Sequence, residues 1–240
     1  MSSPPQLTAN DLLQSYTNYE RYHPNNRINL RILIPRSYSG KIIGPQGKTI
    51  QGITNFYHVF LQFSTYESSR RSMRLFHMRG KSEDCANACT NCLELLIKGF
   101  NDPIVNGMDF ILPDLFINFL KEGGKKQNGK NIFQDMAEQT NTEIRIMSRF
   151  LPNSTERIVR ISIPTGDEYI RNFYHAVKLL TQQLEENITL VMCAPGNKFY
   201  KQEVEDDLVF TDIVPSRDED DEIYCELSTR AQQYMQYNTI

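Results

Sequence analysis

The chain has 240 residues, 40% hydrophobic, 23% charged and 10% aromatic. That is core-forming material for one or two domains and excludes wholesale disorder. No run of about 18 apolar residues occurs, so no membrane-spanning helix is expected. Residues 1–11 show neither the basic start nor the apolar centre of an export signal. Three of the five cysteines crowd between positions 85 and 92, unlike a disulfide framework. An intracellular setting, nucleus and/or cytoplasm, is the expectation.

The net charge of −3 is unevenly spread. Residues 28–99 hold 10 basic and 4 acidic side chains, net +6, whereas residues 100–187 hold 10 and 12, net −2. Residues 188–240 hold 4 basic and 11 acidic, net −7. A basic block suits a polyanion, and an acidic extension suits a basic partner or plain solvation.

In chain order, residues 1–27 form an extension in which Leu12, Leu13, Tyr16 and Tyr19 take helical spacing until His23-Pro24. Asn29–Pro35 is β-branched and alternating, a strand ended by proline. Ser39–Ile50 places apolar residues on both sides of Gly44-x-x-Gly47, predicting two short helices joined by a tight turn. Val59, Leu61 and Phe63 alternate with Phe60 and Gln62, a strand with one buried face. Met73–Met78 is the next strand, after a polar loop. Cys85, Cys89, Cys92, Leu93, Leu96 and Ile97 then make the stripe of an amphipathic helix. The order is β-α-α-β-β-α.

It returns in residues 100–187. Phe110–Pro113 matches Leu33–Pro35, and Gly129–Ile132 matches Gly47–Ile50. Glu143–Ile146 and Arg157–Ile161 are the later strands, and Tyr169–Leu184 is the closing helix.

The motif Ile42-Ile43-Gly44-x-x-Gly47-x-x-Ile50, set between these strands, resembles the type I KH domain. The second unit, with Phe150–Arg157 before its last strand, resembles the hnRNP K, poly(C)-binding and Nova group. The resemblance implies an α+β fold. Each of two consecutive type I KH units would pack a three-stranded antiparallel sheet against three helices. The expected domains are 28–99, 100–187 and an acidic, partly disordered extension, 188–240.

The physics of the motif stands beside the resemblance. Glycines let a nucleic-acid backbone approach closely, and the following helix offers unpaired N–H groups to a phosphate. Arg36, Lys41 and Lys48 would add charge. The resemblance implies that the turn clamps about four nucleotides of backbone. It also implies a groove floor of Ile42, Ile43, Ile50 and Leu61, with Phe60 and Gln62 at the rim or toward solvent. In the poly(C)-binding group an arginine by the last strand reads cytosine edges, and the matching positions are Arg74 and Arg157.

Three departures qualify this. Pro45-Gln46 fills the clamp where the family carries a basic residue, and Phe60 replaces a family arginine, leaving base stacking as an alternative to cytosine selection. The second unit also lacks Gly-x-x-Gly: 19 positions separate Pro113 from Ile132, against 15 from Pro35 to Ile50. That unit is either a scaffold or an altered clamp using Lys125, Lys126, Asn128, Gly129, Lys130 and Arg157.

Cys85-x-x-x-Cys89-x-x-Cys92 has the spelling of an iron–sulfur motif, but its place on an apolar helical stripe points to buried packing thiols. The four histidines form no nucleophile or metal arrangement. No enzyme activity, cofactor or metal is expected. The apolar pieces among the acids beyond Pro195 suit a segment that orders on a partner, or one that folds over the basic first unit and competes with RNA. The reading is selective binding of single-stranded RNA, mRNA or its precursor, with a pyrimidine-rich preference, regulating by recruitment or occlusion. The alternative is a KH-fold interaction scaffold in a ribonucleoprotein, with a protein partner through the second unit or the extension.

Overall fold

The computed structural model describes residues 27–64, 73–100, 105–123, 129–152, 154–164, 169–188, 192 and 222–224. The helical spacing at residues 12–19, Lys125, Lys126, Asn128, and the acidic extension apart from 222–224 lie outside them. The first unit runs β1 (Ile28–Pro35), α1 (Arg36–Ile43), α2 (Lys48–Tyr57), β2 (Phe60–Phe63), β3 (Met73–Gly80) and α3 (Ser82–Phe100). The second runs β4 (Gly107–Pro113), α4 (Asp114–Gly123), α5 (Ile132–Thr140), β5 (Glu143–Phe150), β6 (Glu156–Ser162) and α6 (Ile170–Asn187). A last short strand, β7, is Glu222–Tyr224. The fold is α+β, and no described helix is long and apolar enough to cross a membrane.

Alternation decides the faces. In β1, Ile28, Leu30, Ile32 and Ile34 turn to the helices and are buried there. Leu33 turns the other way, joining Ile111, Leu151 and Ile158 in a small second core on the far face of the sheet.

The expected separate three-stranded sheets are instead one sheet of order β2-β3-β1-β4-β6-β5-β7, antiparallel throughout. The seam is β1 on β4, with Ile32 opposite Phe110 and Leu33 opposite Asp109. It closes two edges that would otherwise present unpaired backbone. Above it α3 packs on α6. Both helices bring small residues to their buried faces, Ala86, Ala88 and Cys89 on one and Ala176 on the other. Cys85, Cys89 and Cys92 are wholly buried on that face, and Cys89 Sγ lies 3.4 Å from Met108 Sδ of the second unit. Burial pushes the Cys85 and Cys92 thiols up to about 12, so they are packing atoms.

On the far face, Arg31 of β1 grips the buried carboxylate of Glu156 with both arms of its guanidinium, one at 2.8 Å. Arg160 likewise meets Asp109 at 2.9 Å. The Arg31–Glu156 fork ties one unit to the other.

Candidate nucleic-acid interface

β2 is an outer strand of the whole sheet. With α1 and α2 it flanks the expected groove, a trough whose mouth would be the bend from Gly44 to Gly47. Gly44 holds φ 71°, ψ 177°, a conformation essentially confined to glycine. A Cβ there would stand 2.0 Å from Thr49 Oγ1. Its N–H donates to the Gly40 carbonyl at 2.9 Å and closes α1. Gln46 (φ 52°) and Gly47 (φ 75°) then turn left-handed, and a Cβ on Gly47 would meet nothing within 4 Å. Pro45 and Gln46 are exposed at the tip.

That geometry leaves α2 without a capping side chain, because its N-cap is Gly47 and its first turn holds no acid. The positive end of the helix therefore opens at the bend, beside the exposed cation Lys48. Lys41 sends its stem over Gly99 of α3, where an added Cβ would stand 2.4 Å from Lys41 Cε, so its charge sits toward the end of α3.

Arg74 lies on the helix side of β3, opposite buried Ile34. Its guanidinium donates to Ser39 Oγ at 3.3 Å and to the Ser64 carbonyl at 2.9 Å, and covers the Phe63 ring at 4.9 Å. Partial burial, then the neighbouring Arg36 guanidinium, lowers its pKa. Ser39, buried on α1 with its hydroxyl donating to the Arg36 carbonyl at 2.8 Å, is a positioning residue the sequence reading missed. A lone serine in a short helix carries no signal until Arg74 is placed above it.

The floor differs from expectation. Ile43, Ile50 and Leu61 are half-buried and line it, but Ile42 is wholly buried beneath them, since the helix turns it into the core. Phe60 and Gln62 lie on the opposite face of the sheet, across from Arg79 and His77, because strand parity sends only Leu61 and Phe63 toward the helices. Phe60 is 53% exposed there.

The second unit is built differently at the matching place. Gly129 keeps a positive φ of 73°, but α5 starts only at Ile132. Asn131 accepts from the Gln134 amide at 2.8 Å, and the Gln134 side chain accepts from the Asn131 amide at 2.9 Å. This reciprocal cap satisfies the helix end, and Asp135 adds negative charge to the first turn. Lys130 pairs with Glu138. Arg157 is buried and tied inward: Nε donates to the Met147 carbonyl at 2.6 Å, and Nη1 to Asp114 at 3.3 Å. Its expected freedom to read a base is spent within the protein, whereas the Lys130–Glu138 pair is solvent-exposed. Nor does the described part of the extension fold over the first unit, since β7 pairs with β5 of the second.

Residues 29–94, from β1 through most of α3, match the KH domain family model. The first unit of this chain is therefore a KH domain, a nucleic-acid-binding fold whose general ligand is RNA.

Proposed function

We propose that the chain binds single-stranded RNA selectively, mRNA or its precursor, through the KH domain of residues 28–99, and regulates that RNA by recruitment or occlusion. The observation that carries this reading is the bare bend at Gly44–Gly47, opening an uncapped helix start beside exposed Lys48. A phosphate placed there gains backbone N–H donors and the helix dipole. The Arg74 fork, held by Ser39, Ser64 and Phe63, offers donors suited to the O2 and N3 acceptors of a pyrimidine, which supports a pyrimidine-rich preference. Arg36, Lys48, Ile43, Ile50 and Leu61 complete the set. Residues 100–187 form a divergent KH-like unit whose role is architectural, a reading supported by the self-capped start of α5.

The test is fluorescence polarisation with labelled single-stranded oligonucleotides of C, U, A and G at several salt concentrations. Affinity for pyrimidine strands is expected to exceed that for purine strands and to fall with salt, since each phosphate neutralised contributes a slope of about −0.7 on single strands. A flat salt response would remove the phosphate clamp. The competing scaffold reading is favoured by one observation, the coverage of the second unit by β7, and predicts no binding to any of the strands.

A further inference from the structure

The two outer strands of the sheet are not equivalent. Among the described residues, nothing pairs with the outer edge of β2, whereas the outer edge of β5 carries β7. The pairing is antiparallel, with Ile144 opposite Tyr224, Arg145 opposite Ile223 and Ile146 opposite Glu222. β7 thereby lies in the second unit where the first unit has its trough, alongside the helix that follows the turn.

Side chains as well as main chain hold it. Glu222 meets Lys121 of α4 at 2.7 Å and Arg157 of β6 at 3.7 Å. The Tyr224 ring stacks on Phe133 of α5, centroids 6.1 Å apart and planes 16° from parallel. Its hydroxyl accepts from Asn131 Nδ2 at 3.0 Å and donates to Glu222 at 3.0 Å. Ile223, between them, points outward and is 45% exposed. Two alternate side chains are therefore read and the middle one is not, the pattern of strand addition to a sheet edge, in which main-chain bonds give affinity and alternate pockets give specificity.

We propose that the groove between β5 and α5 is a peptide site specific for a Glu-x-Tyr strand, that Lys121, Arg157, Asn131 and Phe133 are its recognition residues, and that the chain's own Glu222–Tyr224 occupies it in cis. The segment belongs to the same chain as the groove and follows α6 by 34 residues, so its docking is intramolecular and does not depend on protein concentration. A nucleic-acid occupant is the competing idea. The site argues against it, because a carboxylate satisfies its cations and the helix end is capped by the protein.

The experiment compares the full-length chain with a full-length variant carrying Glu222→Lys and Tyr224→Ala. Both substitutions fall on the strap and leave the groove intact. A fluorescein-labelled peptide of residues 216–228 is titrated against each by polarisation, with thermal melting as a check of folding. The opened variant should bind the peptide at least tenfold more tightly than the wild type, whose groove is filled. A peptide carrying the same two substitutions should not bind. Hydrogen exchange at 143–147 should quicken in the opened variant and slow again when the native peptide is added. Failure of the opened, folded variant to take up peptide overturns the proposal. So does a second equivalent of bound single-stranded RNA in that variant, which would make the groove a gated nucleic-acid site. Single-stranded RNA binding by the first unit is scored separately on the wild type, whose strap is in place, so the two readings fail separately.

Discussion

Replacing Pro45 and Gln46 together by aspartate tests the bend directly. Both side chains are exposed, and Gln46 sits at φ 52°, ψ 25°, a left-handed conformation in which aspartate is among the best-tolerated residues. Acids at a helix start also favour the helix. The variant should therefore melt within a degree or two of the parent. A phosphate docked on the start of α2 would lie about 6 Å from each new carboxylate, and at an effective dielectric of about 20 each pair repels by about 3 kcal/mol. Screening at physiological ionic strength, with a Debye length of about 8 Å, cuts this by roughly half. Two carboxylates then cost about 3 kcal/mol, or roughly a hundredfold in Kd at 1.4 kcal/mol per decade. Polarisation with a labelled pyrimidine strand measures it. A Kd unchanged within threefold, in a variant that melts with the parent, would refute the clamp.

Three further outcomes follow from the same geometry. Gly44→Ala should destabilise by well over the left-handed cost of about 1–2 kcal/mol, because its Cβ overlaps Thr49 Oγ1, whereas Gly47→Ala, in open space, should cost only that term; urea melts of both compare them. Arg31→Ala removes the forked guanidinium from the Glu156 carboxylate, 1% exposed, and should cost about 3 kcal/mol in the same assay, while a paired replacement by Met and Leu should recover most of it. Burial raises the Glu222 pKa, but Lys121, the Tyr224 hydroxyl and Arg157 outweigh it and hold the carboxyl below its usual range. Its contribution to strap docking is thus complete above the ordinary glutamate value of about 4.3 and is lost as pH falls through the lower folded value. The chain has no tryptophan, so Ile223→Trp gives a single indole that can be excited apart from the twelve tyrosines, and its emission should shift toward that of exposed indole only in this acid range.

The strands and long helices were legible because burial imposes a period. Ile28, Leu30, Ile32 and Ile34 alternate, and Cys85, Cys89, Cys92 and Leu96 recur by turns, so each pattern has one face to hide. The bend was legible for a different reason: glycine at 44 is required by backbone geometry and therefore stands out as spelling. What was not legible is contact between distant elements. The β1–β4 seam leaves no local sign, because Phe110 and Asp109 would alternate identically on an edge strand. Ile42 and Ile43 are indistinguishable in sequence, yet one is core and the other is floor. Arg157 aligned with Arg74 by position, but its environment is set by Asp114, 43 residues earlier, and by Glu222, 65 later. The Glu-x-Tyr strand is three residues long, too short for any periodicity to announce.

The position of β7 also bears on whether the acidic extension competes with RNA. β7 is seventh in the sheet and β2 is first, so six interstrand spacings of about 4.8 Å put them roughly 29 Å apart. That is more than three Debye lengths at physiological salt, where the interaction of exposed charges is largely screened. Asp218, Glu219, Asp220 and Asp221 directly precede the strap, and four residues at full extension reach only about 14 Å from it. Anchored there, they remain more than a Debye length from the trough beside β2. Neutralising all four together (Asp218→Asn, Glu219→Gln, Asp220→Asn and Asp221→Asn) should leave Kd for RNA within about twofold at physiological salt, since the screened field of exposed charges has decayed over that distance. Releasing the strap by Glu222→Lys and Tyr224→Ala, in contrast, removes that limit on their distance from the trough. If the neutralised chain gains about tenfold or more in affinity with its strap intact, equivalent to roughly 1.4 kcal/mol, the anchor is not where the sheet order puts it, and the extension acts on the first unit after all.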